Sequence, residues 1–267
     1  ETTTKKQNRG NLYLAKIARV EPSLQAAFVD YGNERHGFLA FNEIHPDYFQ
    51  IPIADKEELL KEESSQLDEQ ENIDENAIDA ENDSSNNFLK KKPPKRSNFY
   101  RKYRIQEVIK KGQILLVQVA KEERGNKGAA LTTFISLAGR YCVLMTNTIR
   151  KGGISRRITH SNERKKLRSI IEGLNIPTNM GVIIRTAGSK MNKIEIKRDY
   201  NFLIKTWESI KSHTLKSVAP ALIHEENNII KRGIRDLYTA EVEEILVQGV
   251  SAFKAAKSYM KTLMPSK

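Results

Sequence analysis

The stretch AAFVDYGNERHGFLA, residues 26–40, decides the fold of the first half of the chain. Two runs of apolar and aromatic residues flank the tripeptide YGN, which is typical of a turn between strands. We therefore predict strands over 26–31 and 35–44. The two phenylalanines, Phe28 and Phe38, lie in successive strands. They either fill a β-core or stack on a partner that has flat rings.

Similar patterns continue on both sides of this hairpin. Residues 11–20, NLYLAKIARV, alternate between apolar and polar side chains as a strand does. The stretch QILLVQVAKEERGNKGAALTTFISL, residues 113–137, predicts two more strands around a glycine-rich turn at 124–128. Five short strands with such turns predict a small closed β-barrel of the OB type.

An acidic insertion at residues 54–98 interrupts the barrel pattern. Its segment 55–83 contains thirteen acids and two lysines, a charge of −11, which leaves +23 on the rest of the chain. So polar a segment cannot bury enough apolar surface to order itself, and we expect it to be disordered. The stretch that follows is basic, with aromatic residues interleaved: Lys90, Lys91, Lys92, Lys95, Arg96, Phe99, Tyr100, Arg101, Lys102, Tyr103 and Arg104.

The second half of the chain predicts a mixture of helices and strands, so the chain as a whole is expected to be α+β. A long helix is indicated by apolar residues at 196, 200, 203, 207 and 210, which lie on one helical face. The other expected elements are a helix at 162–173, a strand in GVIIRTAG at 181–188, a helix near 225–238, a strand in EEILVQG at 243–249 and a helix at 250–263.

Composition restricts the classes of function. The 267 residues carry a net charge of +12, which favours a polyanionic partner. The single cysteine, Cys142, excludes an intramolecular disulfide and a zinc site built from several cysteines of one chain. No apolar run approaches the roughly 18 residues of a membrane span. No signal peptide is recognisable, and the start at Glu1 indicates a fragment of a longer protein.

No catalytic centre is recognisable from the residues. The sequence has neither a phosphate-binding loop of the Walker type nor a nucleophile elbow, and no carboxylate cluster for two metals lies outside the acidic insertion. The five histidines are too scattered for a metal site, and we expect them to make structural hydrogen bonds: His36, His45, His160, His213 and His224. The pattern predicts a binding protein.

Three groups of residues are candidates for binding. Exposed aromatic residues on an OB barrel stack on bases, so Phe28 and Phe38 are either such residues or part of the core. Lys127, in a glycine-rich turn, is either a phosphate contact or a solvated lysine. Arg185 and Thr186 follow a buried strand. They suit a terminal phosphate, unless Arg185 pairs with a local carboxylate.

Four segments carry a resemblance to a known family: RVEPSLQAAFVDYGNERHGFL, VQVAKEERGNKGAALTTFISLAGRY, GGISRRI and VIIRTAG. They resemble the N-terminal half of the ribonuclease E/G family, and the second segment is closer to its E branch. The resemblance covers most of residues 10–250, without the insertion. It implies a portion of an endoribonuclease that binds RNA, senses a 5′-monophosphate and acts in RNA processing and decay in the cytoplasm.

The resemblance also implies domains and site residues. It divides the chain into an N-terminal remnant of an RNase H-like region (1–10), an S1-type OB domain (11–138), a 5′-sensor region (139–214) and a partial RNase H-like region (215–267). The RNA-binding residues are expected to be Phe28, Phe38 and Lys127. The 5′-monophosphate pocket is expected to contain Gly139, Val143, Arg185 and Thr186.

The sequence departs from the family pattern in ways that carry further expectations. The family's DNase I-like domain, with its Mg²⁺-binding aspartates, and the cysteine pair that links subunits through Zn²⁺ would follow Lys267. We therefore expect no catalytic residue, cofactor, metal or tetramer-forming region in this chain, and no cleavage by it alone. The opening strands of the RNase H-like region are missing, so the segment after about 215 is expected to lack sheet partners. Thr146 replaces a common proline.

The expected partner is single-stranded RNA and not DNA, with RNA-decay proteins as further partners of a full-length enzyme. A non-catalytic RNA-binding adaptor with an S1 barrel is the alternative, although such a protein has no need for GISRR followed by VIIRTAG. A membrane-surface protein is disfavoured because no basic amphipathic helix is evident.

Overall fold

The computed structural model describes residues 7–56, 103–125, 127–148, 152–226, 228–239 and 241–263. Apart from its first three residues, the predicted insertion at 54–98 lies outside the described residues. The basic residues from Lys90 to Lys102 lie outside them as well. In the part of the chain that is described, no helix combines the length and the apolar character needed to cross a bilayer.

The first half of the chain forms the predicted closed barrel. Its strands are β1 (Leu12–Glu21), β2 (Ala26–Asp30), β3 (Gly37–Ala40), β4 (Ile114–Lys121) and β5 (Ala130–Thr132). They pair in the order β1-β2-β3-β5-β4, and β4 pairs back with β1 to close the barrel. Only β3 and β5 run parallel among these pairs. The five-stranded barrel of the OB type is therefore confirmed.

Strand alternation fills the barrel interior. Every second side chain of a strand faces the same side of the sheet, and the inward ones are small or branched apolar residues. In the central hairpin these are Ala27, Val29 and Leu39, each fully buried. Tyr31 ends β2 and is also buried, and its hydroxyl donates to Glu123 Oε1 at 2.9 Å. Short 3₁₀ turns at Pro22–Leu24, Phe41–Glu43 and Pro46–Tyr48 and helix α1 (Ile105–Val108) complete this unit.

A second sheet follows the barrel. Its strands are β6 (Ser136–Ala138), β7 (Cys142–Met145), β8 (Gly152–Ile154) and β9 (Gly181–Ile184), in the order β6-β7-β9-β8. One face packs on the apolar faces of α2 (Ser161–Glu172) and α3 (Lys193–Lys216). Both helices and the strand before Arg185 are confirmed.

The C-terminal segment corrects two expectations. β10 (Ala221–His224) pairs antiparallel with β1 of the barrel, so the segment after 215 does have a sheet partner. The predicted strand at 243–249 is wrong, because its described residues form no strand. Leu246 is 85% exposed, whereas Val247 packs, partly buried, against the cluster of Ile234, Ala256 and Leu263. The expected helices are confirmed as α4 (Ile229–Leu237) and α5 (Val250–Leu263).

Thr146 follows β7 and is only 3% exposed. Its backbone N–H donates to the carbonyl of Ile135 at 3.2 Å, which a proline could not do. Its hydroxyl oxygen has no hydrogen-bond partner among the described residues. A buried hydroxyl without a partner costs stability, since it has given up its hydrogen bonds to water.

We expect Thr146→Val to raise the free energy of unfolding by about 1 kcal/mol, because valine has the same shape and no hydroxyl to desolvate. Thr133→Val is the matched control. Thr133 is fully buried, and its hydroxyl accepts from His45 N–H at 2.6 Å and donates to the Glu43 carbonyl at 3.0 Å. That substitution should destabilise the protein. Urea denaturation compares them, and equal losses in both variants would contradict the prediction.

Candidate nucleic-acid interface

Two phenylalanines form a pair on the outer surface of the barrel. Phe28 of β2 and Phe38 of β3 are direct cross-strand partners, and their ring centroids are 6.0 Å apart at 74°. Both are only partly buried, whereas their strand neighbours Ala27 and Leu39 fill the interior. The rings therefore lie outside the barrel core, which decides between the two interpretations of their position.

One arginine lies over this aromatic pair, and a basic turn is joined to it through β3. Arg19 of β1 lies opposite Phe28 in the sheet, with its guanidinium carbon 4.6 Å from the ring centroid. Such a contact holds an arginine over an aromatic face. On the other side, Phe38 N–H donates to the carbonyl of Ala129 at 2.7 Å, two residues after Lys127. The fold thus connects both rings to the turn that carries the candidate lysine.

The turn between β4 and β5 is closed by a two-way backbone contact. Arg124 N–H donates to the Lys127 carbonyl at 3.2 Å, and Lys127 N–H donates to the Arg124 carbonyl at 3.1 Å. Arg35, from the turn before β3, donates from Nη1 to the carbonyl of Gly125 at 2.6 Å. Lys127 is exposed. A basic turn with an exposed lysine next to two outward aromatic rings can hold a phosphate chain and its bases together.

A second candidate site lies at the edge of the β6-β7-β9-β8 sheet. Val143 of β7 pairs with Ile183 of β9, and alternation places Arg185 on the same face as these two residues. Arg185 N–H donates to the carbonyl of Tyr141 at 2.8 Å, and its Nη1 donates to the carbonyl of Gly139 at 2.6 Å. Thr186 follows Arg185 and is exposed. The structure therefore brings Gly139 and Arg185 into contact, with Val143 on the same face of the sheet and Thr186 next to Arg185 in the chain.

The loop that enters β7 is shaped by the carboxylate of Asp199. This residue of α3 is 5% exposed and accepts three backbone N–H groups: those of Arg140 at 3.0 Å, Tyr141 at 2.8 Å and Cys142 at 2.8 Å. Burial raises the pKa of Asp199, while the three N–H groups and Arg185 act to lower it. The carboxylate thus accepts the N–H groups of residues 140 to 142, which would otherwise need water as their acceptor.

Gly139 is explained by the same carboxylate. A β-carbon at this position would lie 2.5 Å from Asp199 Oδ2 and 2.7 Å from Oδ1, closer than atoms can approach. The glycine lets the loop wrap around Asp199. The close approach that requires a glycine here is an approach to the carboxylate of Asp199.

Arg185 also pairs with a carboxylate, which is the alternative that the sequence analysis left open. Its Nη1 forms an ion pair with Asp236 Oδ1 of α4 at 2.8 Å. Burial acts to raise the pKa of Asp236, but hydrogen bonds from Arg235 and Arg185 hold it below its usual range. Arg235 in turn donates from Nη1 to Glu226 Oε1 at 2.6 Å. Two arginines and two carboxylates alternate in this cluster.

Sequence reasoning missed Asp199 and Asp236. A signal for Asp199 was present, because it lies three residues after Ile196 on the apolar face of α3, where an unpaired charge is costly. Asp236 carried no such signal. It is one acidic residue beside an arginine in a helix, and its partner Arg185 is distant in the sequence.

Three of the five histidines, His45, His213 and His224, make polar contacts within the fold, whereas His36 and His160 are exposed. His45 accepts from Asp47 N–H at its Nδ1, 3.2 Å away, and burial lowers the pKa of its imidazole. His213 Nδ1 lies 2.9 Å from the Ile223 carbonyl, and His224 Nε2 lies 3.3 Å from Glu226 Oε2. Among the residues that the structure describes, no group of three or more His, Cys, Asp or Glu side chains could hold a metal ion.

Comparison with known proteins gives one family match and several similar proteins. Residues 136–267 match the model of the Ribonuclease E/G family. The chain is 40% identical over 265 residues to ribonuclease E of Haemophilus influenzae and 38% identical over 263 residues to ribonuclease E of Escherichia coli. The second half of the chain thus matches the ribonuclease E/G family, and nearly the whole chain is similar to proteins named ribonuclease E. A putative ribonuclease E of Buchnera aphidicola subsp. Baizongia pistaciae is also similar, with 40% identity over 260 residues.

These relatives of the ribonuclease E/G family are longer than the chain. The aligned residues are 99%, 98% and 97% of this chain, but 24%, 20% and 52% of the H. influenzae, E. coli and Buchnera proteins, respectively. The chain thus spans between a fifth and about half of the length of these family members. Both candidate sites lie within the shared part.

We expect Gly139→Ala to destabilise the protein by about 1–3 kcal/mol, because the added methyl group would collide with a carboxylate held by three N–H groups. Gly153→Ala is the matched control, since a β-carbon there would meet no atom within 4 Å. Thermal and urea denaturation measure both. A cost for Gly153→Ala equal to that of Gly139→Ala would refute the steric explanation.

Proposed function

We propose that this chain is the RNA-binding and 5′-end-sensing part of an endoribonuclease that acts in RNA processing and decay. Its 40% and 38% identical relatives are named ribonuclease E, and the family match covers residues 136–267. The observation that carries the proposal is the outward Phe28–Phe38 pair beside the exposed Lys127 turn. A partly exposed aromatic pair framed by arginine and lysine side chains fits single-stranded RNA better than a protein core or a lipid surface.

In this proposal the barrel acts as an S1-type domain and binds RNA without strong sequence preference. Every base offers a flat face to Phe28 or Phe38, so stacking does not read sequence. Lys127, Arg19 over the Phe28 ring and Arg35 beside the Lys127 turn would meet the phosphates. Their binding would release counterions, so affinity would fall with salt. The excess positive charge outside residues 55–83 adds a long-range attraction to any RNA.

The pocket at Arg185 would distinguish a 5′-monophosphate from other RNA ends. A terminal monophosphate has more charge and more free oxygens than an internal phosphodiester, and an arginine fork can bind two oxygens at once. The exposed hydroxyl of Thr186 would donate a further hydrogen bond. Val143 and the loop at Gly139 would form the wall, and the size of the site would disfavour a triphosphate.

We assign no cleavage step to this chain. Hydrolysis by a metal-activated water needs carboxylates in a defined arrangement, and the described residues do not supply such a cluster. The Mg²⁺ and Zn²⁺ of the full-length family pattern therefore enter no step of this proposal. RNA incubated with the chain and Mg²⁺ should stay full length on a denaturing gel.

Phe28→Ala and Phe38→Ala should each weaken binding of single-stranded RNA by roughly 1–3 kcal/mol, since each removes a stacking surface. Phe253→Ala is the matched control: Phe253 lies on α5, is 50% exposed and also has a lysine near its ring, Lys257. Lys127→Ala should lower the salt dependence by about one phosphate contact. Fluorescence anisotropy at several salt concentrations measures these effects. Equal losses in the Phe253 variant would mean that stacking on the barrel is not the cause.

Matched short RNAs that differ only at the 5′ end test the pocket. We expect the 5′-monophosphate RNA to bind better than the 5′-hydroxyl and 5′-triphosphate RNAs. Arg185→Gln should abolish this advantage and leave the affinity for 5′-hydroxyl RNA unchanged, because the barrel contacts remain. Equal affinities for all three ends in the unmodified chain would remove the 5′-sensing part of the proposal and leave an RNA-binding adaptor.

A further inference from the structure

We propose that Asp236 is a positioning residue for the 5′-phosphate pocket. It holds one edge of the Arg185 guanidinium and thereby presents the opposite edge to the ligand. The inference rests on the proposed function for its ligand, a 5′-terminal monophosphate. Its structural part, the orientation of Arg185, can be tested without RNA.

Among the described residues, the acceptors of the Arg185 guanidinium all face one of its nitrogens, Nη1. Nη1 is 2.6 Å from the carbonyl oxygen of Gly139, 3.3 Å from that of Arg140 and 2.8 Å from Asp236 Oδ1. A guanidinium has five N–H donors in a planar fork, and only two are on Nη1. Within the described ranges, the three donors on Nε and Nη2 have no side-chain or backbone acceptor.

The edge formed by Nε and Nη2 is the one that suits a phosphate. Two parallel N–H groups on one edge can bind two phosphate oxygens at once, which is the strong and directional form of arginine–phosphate contact. The side chain of Arg185 is 30% exposed, and the proposal places the ligand at this edge. Thr186 adds an exposed hydroxyl directly after Arg185.

Asp236 is itself fixed by hydrogen bonds from Arg235. Its Oδ2 accepts from Arg235 Nη2 at 3.0 Å, and its Oδ1 accepts from Arg235 Nε at 3.2 Å. Arg235 Nη1 donates to Glu226 Oε1 at 2.6 Å and to the Ala138 carbonyl at 3.3 Å. The series Glu226–Arg235–Asp236–Arg185 therefore runs from β10 and α4 to the pocket. Because Arg185 is ordered in advance, the ligand loses less affinity to side-chain ordering.

A competing role for Asp236 predicts the opposite result. If its carboxylate occupied the place of the phosphate, its removal would strengthen 5′-monophosphate binding. The geometry favours positioning, because Asp236 shares Nη1 with two backbone carbonyls that a ligand cannot displace. The effect of Asp236→Asn on the preference for a 5′-monophosphate separates the two roles by its sign.

The first experiment observes Arg185 directly. In NMR spectra of the ¹⁵N-labelled chain, the signals of the Arg185 guanidinium are assigned by their loss in Arg185→Gln. We expect separate, slowly exchanging Nη signals in the unmodified chain and averaged signals in Asp236→Asn. Glu225→Gln is the matched control, because it removes an exposed acidic charge next to Glu226 in the sequence. It should leave the Arg185 signals unchanged. Arg185 signals that are identical in Asp236→Asn would overturn the inference.

The second experiment measures the ratio of affinities for 5′-monophosphate and 5′-hydroxyl RNA. We expect Asp236→Asn to reduce this ratio by about tenfold, an effect common for residues that orient a ligand-binding side chain. Asp236→Glu should restore part of it. In an Arg185→Gln background, Asp236→Asn should have no further effect, since it acts through Arg185. A ratio that is unchanged or increased in the single variant would refute positioning.

The two experiments keep the proposals distinguishable. A ratio of one in the unmodified chain, together with averaged Arg185 signals in Asp236→Asn, would defeat 5′ sensing but support the positioning of Arg185. A clear ratio in the unmodified chain that Asp236→Asn leaves intact would support 5′ sensing and defeat the role of Asp236. Circular dichroism and melting temperature of each variant confirm that the fold is retained.

Discussion

The buried carboxylate of Asp199 is the interaction on which the second half of the structure depends. It accepts three consecutive backbone N–H groups, of residues 140 to 142, and so attaches the entry of β7 to helix α3. A buried donor without a partner costs roughly 1–3 kcal/mol, so this single side chain replaces three such penalties. The same loop turns the carbonyls of Gly139 and Arg140 toward Arg185. The Asp199 carboxylate thus determines the course of the loop that contacts Arg185.

Strand β1 connects the pocket region with the barrel. It pairs with β2 and β4 within the barrel and with β10 outside it. One face of β1 fills the barrel interior, while Leu12 and Leu14 belong to the core shared with the second sheet and its helices. A strand buried on both faces resists displacement, because any shift would disturb two packed cores. The aromatic surface and the Arg185 pocket are therefore built on one framework.

In the proposed function, the two candidate sites divide recognition between them. The barrel, with its flat rings and positive charge, would contribute affinity without choosing a sequence or an end. The Arg185 pocket, with a small number of directed donors, would discriminate between RNA ends. Sites joined on one framework act on the same molecule at a high effective concentration, so each contact can be weak by itself.

Local patterns in the sequence predicted the barrel strands, β9, the four longer helices and the fold class, but not β7, β8 or β10. Period-2 alternation predicted the barrel strands, and the spacing of apolar residues predicted α2 and α3, because both depend on which side chains of one segment share a face. The prediction at 243–249 was wrong because it used local preference alone. Its residues favour a strand, but they pair with no other strand among the described residues. Only the tertiary structure decided that Phe28 and Phe38 lie outside the barrel, that β10 joins β1, and that Asp199 and Asp236 hold the pocket. These contacts join segments far apart in the chain, and their energies depend on burial and on partners that no local pattern contains.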